Sequence, residues 1–211
     1  MKINIITPFP EFYDSFLKTS LIKKAIDNRV VEFNIIDLKK FGIGKYNKID
    51  DKPYGGGVGM IIRVDVIEKA IESISSKGIK IALTPSGKVF NQKYAKELSI
   101  EKEITIISGR YEGFDERVYK LVDKKISIGE FITMGGEAPS LCIIEATVRL
   151  IPGVLGKIES TIEESFSTNI IKEYPQYTRP EKYKKLAVPK VLLSGNHKNI
   201  QEWRKSKSKK A

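Results

Sequence analysis

Ionisable side chains sit between two glycine-rich turns in the segment Ser108 to Glu137, which opens SGRYEGFDERVY and closes SIGEFITMGGE. Gly109 and Gly113 in the first half, and Gly129, Gly135 and Gly136 in the second, let a small molecule reach backbone N–H and C=O groups, because no Cβ blocks the approach. The β-branched run Ile104-Thr105-Ile106-Ile107 just before reads as a fully buried strand. Where such a strand runs into a turn, α/β proteins bind ligands. One loop of this kind would be only a tight turn; two, with ionisable residues between them, predict a small-molecule site.

The groups able to move a proton are few. His197 is the single histidine, which excludes His-rich metal sites and most His-based catalysis, so a general base here is a carboxylate. Cys142 is the single cysteine, so no internal disulfide forms and a reducing cytoplasm is the expected compartment. A third glycine-dense stretch, DDKPYGGGVGM at residues 50–60, suits a loop that hugs a ligand. No Gly-Lys-Ser/Thr follows it, which excludes a phosphate loop and with it a GTPase-like nucleotide site.

These loops need a scaffold. A short strand is expected over Ile3 to Ile6, then an amphipathic helix with Phe12, Phe16, Ile22 and Ile26 toward the core. A second strand covers Val31 to Ile36, and residues 41–51 read as a surface loop. Asp65 and Glu68 resemble a capping box ahead of the apolar stripe Ile67, Ala70, Ile71 and Ile74. Ile79 to Leu83 is a buried strand ending in the turn Thr84-Pro85-Ser86-Gly87, with a helix near residues 92–98 beyond it. Asp115 is a candidate N-cap for a helix carrying Val118, Leu121 and Val122, and a further helix begins near Pro139. The βαβα alternation predicts an α/β fold, a mostly parallel sheet with helices on both faces.

The pattern loosens over residues 159–172, where TIEESFSTN reads as a linker between a body over 1–158 and a small, basic, helical part over 173–211. Glu163 and Glu164 in that linker read, on pattern alone, as exposed acids, and Trp203 as the core anchor of the last part. Residues 176–211 hold 11 Lys or Arg against 2 acidic side chains, so they carry +9 of the formal +11. A basic end with interleaved aromatics and hydroxyls fits attachment to nucleic acid. No apolar run approaches the ~20 residues of a membrane span, so no membrane association is expected.

The ordered motifs PYGGGVGM, LTPSG, SGRYEGFDERV, SIGEFITMGGE, RLIPGVLG, EESF, YTRP and VLLSGNH are similar to those of the bacterial tRNA (guanine-N1)-methyltransferases, the TrmD family. GRYEGFDERV and RLIPGVLG are long and specific, and the series runs from about residue 50 to residue 197. The resemblance implies a SPOUT-type fold with a C-terminal trefoil knot, a homodimer with a composite active site, S-adenosylmethionine as cofactor and tRNA as partner. It implies methylation of N1 of the guanine just 3′ of the anticodon.

Carried over residue by residue, the cofactor pocket would comprise Leu83, Thr84, Pro85, Ser86 and Gly87 from one turn, and Gly109, Tyr111, Glu112 and Gly113 from the next. The third turn would add Ser127, Ile128, Gly129, Phe131, Ile132, Met134, Gly135 and Gly136, with Leu141 as a further wall. Guanine N1 is protonated at neutral pH, so a base must take that proton. The family uses an Asp before Ser-Phe; this chain has Glu164 there, one methylene longer, with Glu163 in reserve. Arg149 matches the family arginine that opposes negative charge growing on the guanine oxygen. Tyr54, Gly57 and Gly59 would face the guanine, and Ser194 and Asn196 the tRNA, with no proton-transfer role for His197. The family's methyl transfer needs Mg²⁺, which a few carboxylates and water would hold here, since the sequence shows no dedicated metal ligands.

Family members continue further at the C-terminus, so tRNA discrimination resting more on lysine–phosphate attraction is expected, with strong salt sensitivity. The rival readings are a different SPOUT RNA methyltransferase and an inactive RNA-binding protein on the same scaffold.

Overall fold

Strands that are apolar at consecutive positions need cover on both faces, and the fold supplies it. The computed structural model describes residues 1–75, 77–156, 164–166 and 170–210. Strands β1 (Lys2–Thr7) and β2 (Glu32–Asp37) flank a 3-10 turn at Pro10–Tyr13, α1 (Asp14–Leu17) and α2 (Ser20–Asp27). A two-stranded antiparallel ribbon, β3 (Asp50–Asp51) with β4 (Ile61–Ile62), encloses the glycine-dense loop and leads to α3 (Val64–Glu72). Then come β5 (Ile79–Val89), α4 (Gln92–Ser99), β6 (Glu103–Ile107), a 3-10 turn at Glu116–Lys120, β7 (Lys124–Ser127) and α5 (Glu137–Val148).

The main sheet has the order β2-β1-β6-β5-β7, and every pairing in it is parallel. Side chains alternate across it, so consecutive residues feed two cores. Ile3, Ile5, Ile81, Leu83, Ile104 and Ile106 pack with α2, α4 and α5 on one face. Ile6, Ala82 and Ile107 pack with Val66, Ile67 and Ala70 of α3 on the other. The α/β fold with a parallel sheet is thus the one the alternation predicts.

Register in the sheet's first half is fixed by polar groups. Asn4 is buried and donates from Nδ2 to Glu103 Oε1 (2.9 Å) and Thr105 Oγ1 (3.3 Å), while Asn34 Nδ2 donates to Asn4 Oδ1 at 3.1 Å. A slip by one residue would strand these groups away from water, a cost of about 1–3 kcal/mol each.

Local differences from the sequence reading have physical causes. The first helix is broken into a 3-10 turn and two short helices. The tighter turn brings Tyr13, rather than Phe12, into the core: Tyr13 is fully buried and Phe12 is 41% exposed. Helix α3 begins before Asp65, whose carboxylate turns back to Arg63 (Nη2–Oδ2 2.9 Å) instead of forming a capping box. Thr84 to Gly87 is not a strand end. Strand β5 runs on to Val89, with Leu83 and Lys88 both opposite Ile126, so the Thr84-Pro85-Ser86-Gly87 segment bulges out of the ladder. The segment after Asp115 is a 3-10 turn, not an α-helix.

A second compact unit, Lys157–Ala211, is separate from the unit Met1–Gly156. It contains β8 (Ile170–Lys172), β9 (Lys182–Tyr183), β10 (Leu186–Ala187), α6 (Lys190–Leu193), α7 (His197–Lys207) and β11 (Lys209–Lys210). Two antiparallel ribbons, β9–β10 and β8–β11, therefore accompany its helices. Trp203 is half-buried against Tyr177, ring centroids 6.3 Å apart. Of the expected linker, residues 164–166 and 170–172 are described. No described helix is long and apolar enough to cross a membrane.

Candidate functional site

The Thr84–Gly87 bulge of β5 and the turns that leave the carboxyl ends of β6 and β7 lie side by side and form one cleft. From β6 the chain passes through buried Ser108, whose N–H donates to the Ile6 carbonyl (2.9 Å), into Gly109. A Cβ on Gly109 would lie 2.9 Å from the Phe114 ring, so the backbone here must stay bare. Tyr111 (φ 59°) and Gly113 (φ 100°) take left-handed conformations that fold the turn back. From β7, Ser127 ties off the next turn with Oγ donating to the Gly129 carbonyl at 2.9 Å. The chain then returns across the first turn: Gly136 N–H donates to the Gly109 carbonyl at 2.7 Å, and Gly135 bridges Arg110.

The cleft holds about 220 Å³ and is lined by all three segments. That is below the ~300–1,000 Å³ usual for small-molecule sites, so a drug-sized molecule would extend past its rim. Thirteen residues expected at a cofactor line it: Leu83, Thr84, Pro85, Gly109, Tyr111, Glu112, Gly113, Ser127, Ile128, Phe131, Ile132, Gly135 and Gly136. Tyr119 closes one side, its hydroxyl donating to Thr84 Oγ1 at 3.1 Å.

The other five expected residues are not among those lining the cleft. Ser86 meets Thr84 Oγ1 at 3.1 Å, beside the cleft. Gly87 gives space to the backbone of Ile126, and Gly129 to the Phe131 ring. Met134 presents its carbonyl to Arg110 Nη1 (3.3 Å) while its side chain is exposed. Leu141, on α5, is half-buried and packs against the core.

The glycine-dense loop is stitched to the same turn. Glu112 N–H donates to the Met60 carbonyl (3.0 Å), Ile62 N–H to the Gly113 carbonyl (2.9 Å), and Asp115 N–H to the Ile62 carbonyl (3.0 Å). A Cβ on Gly59 would lie 2.5 Å from Glu112 Cγ and Oε1, so the Glu112 carboxylate rests on bare backbone at the cleft rim. Glu112 therefore belongs to the rim, not to a helix first turn. Tyr54 is fully exposed, and Gly57 and Gly59 have φ of 127° and 90°. Tyr54 also edges a second, charged cleft with Asp51, Arg63, Asp65, Asp115 and Arg117. There Arg63 hydrogen-bonds Asp65 and Arg117 hydrogen-bonds Asp115, holding both carboxyls below their ordinary range.

Arg149 is half-buried at the C-terminal cap of α5, its N–H donating to the Glu145 carbonyl at 3.2 Å. Glu164 lies at a bend in the second unit, followed by Ser165, whose Oγ accepts from Glu173 N–H at 3.1 Å. Glu163 lies outside the described residues. Ser194 and Asn196 spend their side chains on helix ends: Ser194 Oγ donates to the Val191 carbonyl at 2.8 Å, and Asn196 Oδ1 accepts from Asn199 N–H at 3.2 Å.

Two residues with a place in this geometry went unmarked in the sequence. Arg110 lines the cleft, and Glu137, fully buried, pairs with it at 2.8 Å. Their signal was present as opposite charges immediately beside two glycine turns, but nothing in the spacing says those turns meet. Chemically, the cleft offers bare backbone amides and carbonyls, apolar walls and a carboxylate at its mouth. It suits a flat heteroaromatic group carrying a polar or cationic tail.

The chain as a whole has known counterparts. The sequence model of the family described as tRNA (Guanine-1)-methyltransferase TrmD matches residues 1–211. A protein of Mycoplasmopsis agalactiae named tRNA (guanine-N(1)-)-methyltransferase is 50% identical over 206 residues, covering 97% of this chain and 90% of that protein. Proteins of the same name from Mycoplasmopsis pulmonis and Lactobacillus johnsonii are 48% identical over 208 residues and 44% over 211. They are covered to 91% and 87% of their lengths, by 98% and 100% of this chain.

Proposed function

This chain belongs to the tRNA (guanine-1)-methyltransferase family, TrmD, and from that premise we propose that it methylates N1 of the guanine just 3′ of the anticodon in tRNA, with S-adenosylmethionine as donor. The observation that carries the reading is the cleft, where the β5 bulge and the ends of β6 and β7 converge on backbone left bare by Gly109 and Gly135. Those residues fit the donor. Backbone groups of the turns can read an adenine edge, Leu83, Ile126, Ile128 and Phe131 give apolar walls, and Glu112 faces the cationic end. When bound, the donor supplies a methyl group made electrophilic by its sulfonium.

The chain's own residues then have distinct tasks. The loop carrying Tyr54, Gly57 and Gly59 receives the guanine beside Glu112, its bare backbone leaving room for a flat base. Glu164 takes the N1 proton on its carboxylate, and Arg149 opposes the negative charge that develops on the guanine oxygen. A carboxylate one methylene longer than Asp must be placed differently to reach the same proton, since ~1 Å of misplacement costs ~100-fold in rate. Among the described residues no group of three His, Cys, Asp or Glu side chains could hold a metal ion; Mg²⁺ would be held by a few carboxylates and water.

The same reading extends to the assembly: a homodimer in which Arg149 of one protomer and Glu164 of its partner serve one guanine, acting in the cytoplasm. It includes a trefoil knot through the return of residues 127–137 across the Ser108–Gly113 turn, and a division into 1–158, a linker 159–172 and a tRNA-binding part 173–211. The Gly136–Gly109 hydrogen bond supports that return. The test is transfer of labelled methyl from S-adenosylmethionine to unmodified tRNA transcripts with guanine or adenine 3′ of the anticodon. Guanine-dependent labelling lost in Glu164→Gln, and retained in Glu163→Gln, is the expected result. Absence of labelling with both donor and tRNA bound would reject the catalytic reading in favour of RNA binding alone.

A further inference from the structure

We propose that Glu137 is a positioning residue for the methyl donor, acting through Arg110 to hold the two glycine turns of the cleft in register. The inference rests on the donor-site reading above. Glu137 opens α5, and its carboxylate is fully buried. One oxygen, Oε2, meets Arg110 Nε at 2.8 Å; the other, Oε1, accepts from Thr7 Oγ1 at 2.9 Å. The carboxylate therefore joins the end of β1, the turn leaving β6 and the first turn of α5. A buried charge is tolerated only with its partner in place, and removing one member leaves the other without compensation.

Arg110 carries this constraint to the cleft. Its guanidinium carbon lies 4.6 Å from the centre of the Phe9 ring, and Nη1 donates to the Met134 carbonyl at 3.3 Å. Met134 ends the segment whose Phe131 and Ile132 line the cleft, and Arg110 lines it too. Space for the side chain exists because residue 135 is glycine: a Cβ there would lie 2.4 Å from Arg110 Cδ and Nε, and 2.7 Å from Glu137 Oε2. The guanidinium is thus anchored at a buried carboxylate and attached at its other end to a wall of the site. Neutralising the carboxylate frees the arginine and, with it, the 131–134 wall.

The experiment uses the full chain and measures S-adenosylmethionine affinity by calorimetry, tRNA affinity by filter binding, the thermal midpoint without ligand, and steady-state kinetics. Glu137→Gln keeps the size and an acceptor for Thr7 but removes the charge. Losing a buried ion pair of this kind is expected to weaken donor binding and raise its KM by ~10–100-fold, well below the thermal midpoint. Affinity for tRNA and kcat at saturating donor should stay within about threefold. Thr7→Val, which removes the neutral partner and keeps the ion pair, should change donor affinity less than about threefold.

A lowered thermal midpoint with unchanged donor affinity in Glu137→Gln makes the pair merely structural and overturns the proposal. If that variant does not fold, Arg110→Lys decides: it retains the charge but not Nε, and unchanged donor affinity there overturns the proposal equally. Wild-type protein that binds no S-adenosylmethionine would instead reject the donor-site reading on which the proposal stands.

Discussion

Tyr13 is fully buried, and its hydroxyl lies 2.7 Å from Ser140 Oγ and 3.2 Å from Ser108 Oγ, joining the turn after β6 to the first turn of α5. Burial raises its pKa above the ordinary value, partly offset by the hydrogen bonds with Ser108 and Ser140. A folded-state pKa above the unfolded value of ~10 means the native state holds this proton more tightly. The associated stability is complete below pH ~10 and is lost as pH rises through the raised folded value. Tyr13→Phe should therefore cost ~1–2 kcal/mol at neutral pH and show a shallower decline above pH ~10. Urea denaturation from pH 8 to 11 measures both; equally steep curves for the two proteins would assign the alkaline loss to other groups. The glycines of this site were legible in the sequence because an absent Cβ is a local fact. Tyr13, Arg110 and Glu137 were not, because what each side chain meets is set by strands that pair far apart in the chain.

At the scale of elements, β5 shows the same division. Its apolar start at Ile79 marks a buried strand in any reading, but Thr84-Pro85-Ser86-Gly87 has the composition of a strand-ending turn. The strand nevertheless resumes, with Lys88 opposite Ile126 and Val89 opposite Ser127. Turn propensity is local, whereas the second half of the ladder depends on the neighbouring edge of β7. Gly87 makes that return possible: a Cβ would lie 2.5–2.7 Å from Ile126 N, Ile126 C and Lys125 C, all backbone atoms with no freedom to move aside. Gly87→Ala is expected to cost at least ~2 kcal/mol, lowering the thermal midpoint by ~4–8 °C. Ser86→Ala, at an exposed position one residue away, should stay within ~0.5 kcal/mol. Similar midpoints for the two variants in a thermal scan would show that the bulge yields without separating β5 from β7. The βαβα order and both sheet faces were readable from periodicity. The short 3-10 turns were not, since three or four residues carry too little pattern to separate them from an α-helix.

For the molecule as a whole, the proposed function predicts that charge rather than packing governs the encounter with tRNA. Residues 176–211 carry +9 of the formal +11, so phosphate attraction is concentrated at one end of the chain. Within the second unit, the β9–β10 ribbon places exposed Tyr183 directly opposite exposed Leu186, framed by exposed Lys182, Lys184 and Lys185. Lys184 Nζ lies 5.5 Å from the centre of the Tyr183 ring. An aromatic face beside flexible cations fits one base stacked and its phosphates paired. The two contributions separate in a salt titration of tRNA binding. Each phosphate contact adds about −0.7 to −0.9 to the slope of log K against log[salt], so alanine at Lys182, Lys184 and Lys185 together should reduce the slope's magnitude by ~2. Stacking releases no counterions, so Tyr183→Ala should weaken binding by ~1–3 kcal/mol with the slope intact. A slope unchanged by the triple lysine substitution would remove the ribbon from the phosphate contacts and place them on the lysines of α7 or of the first unit.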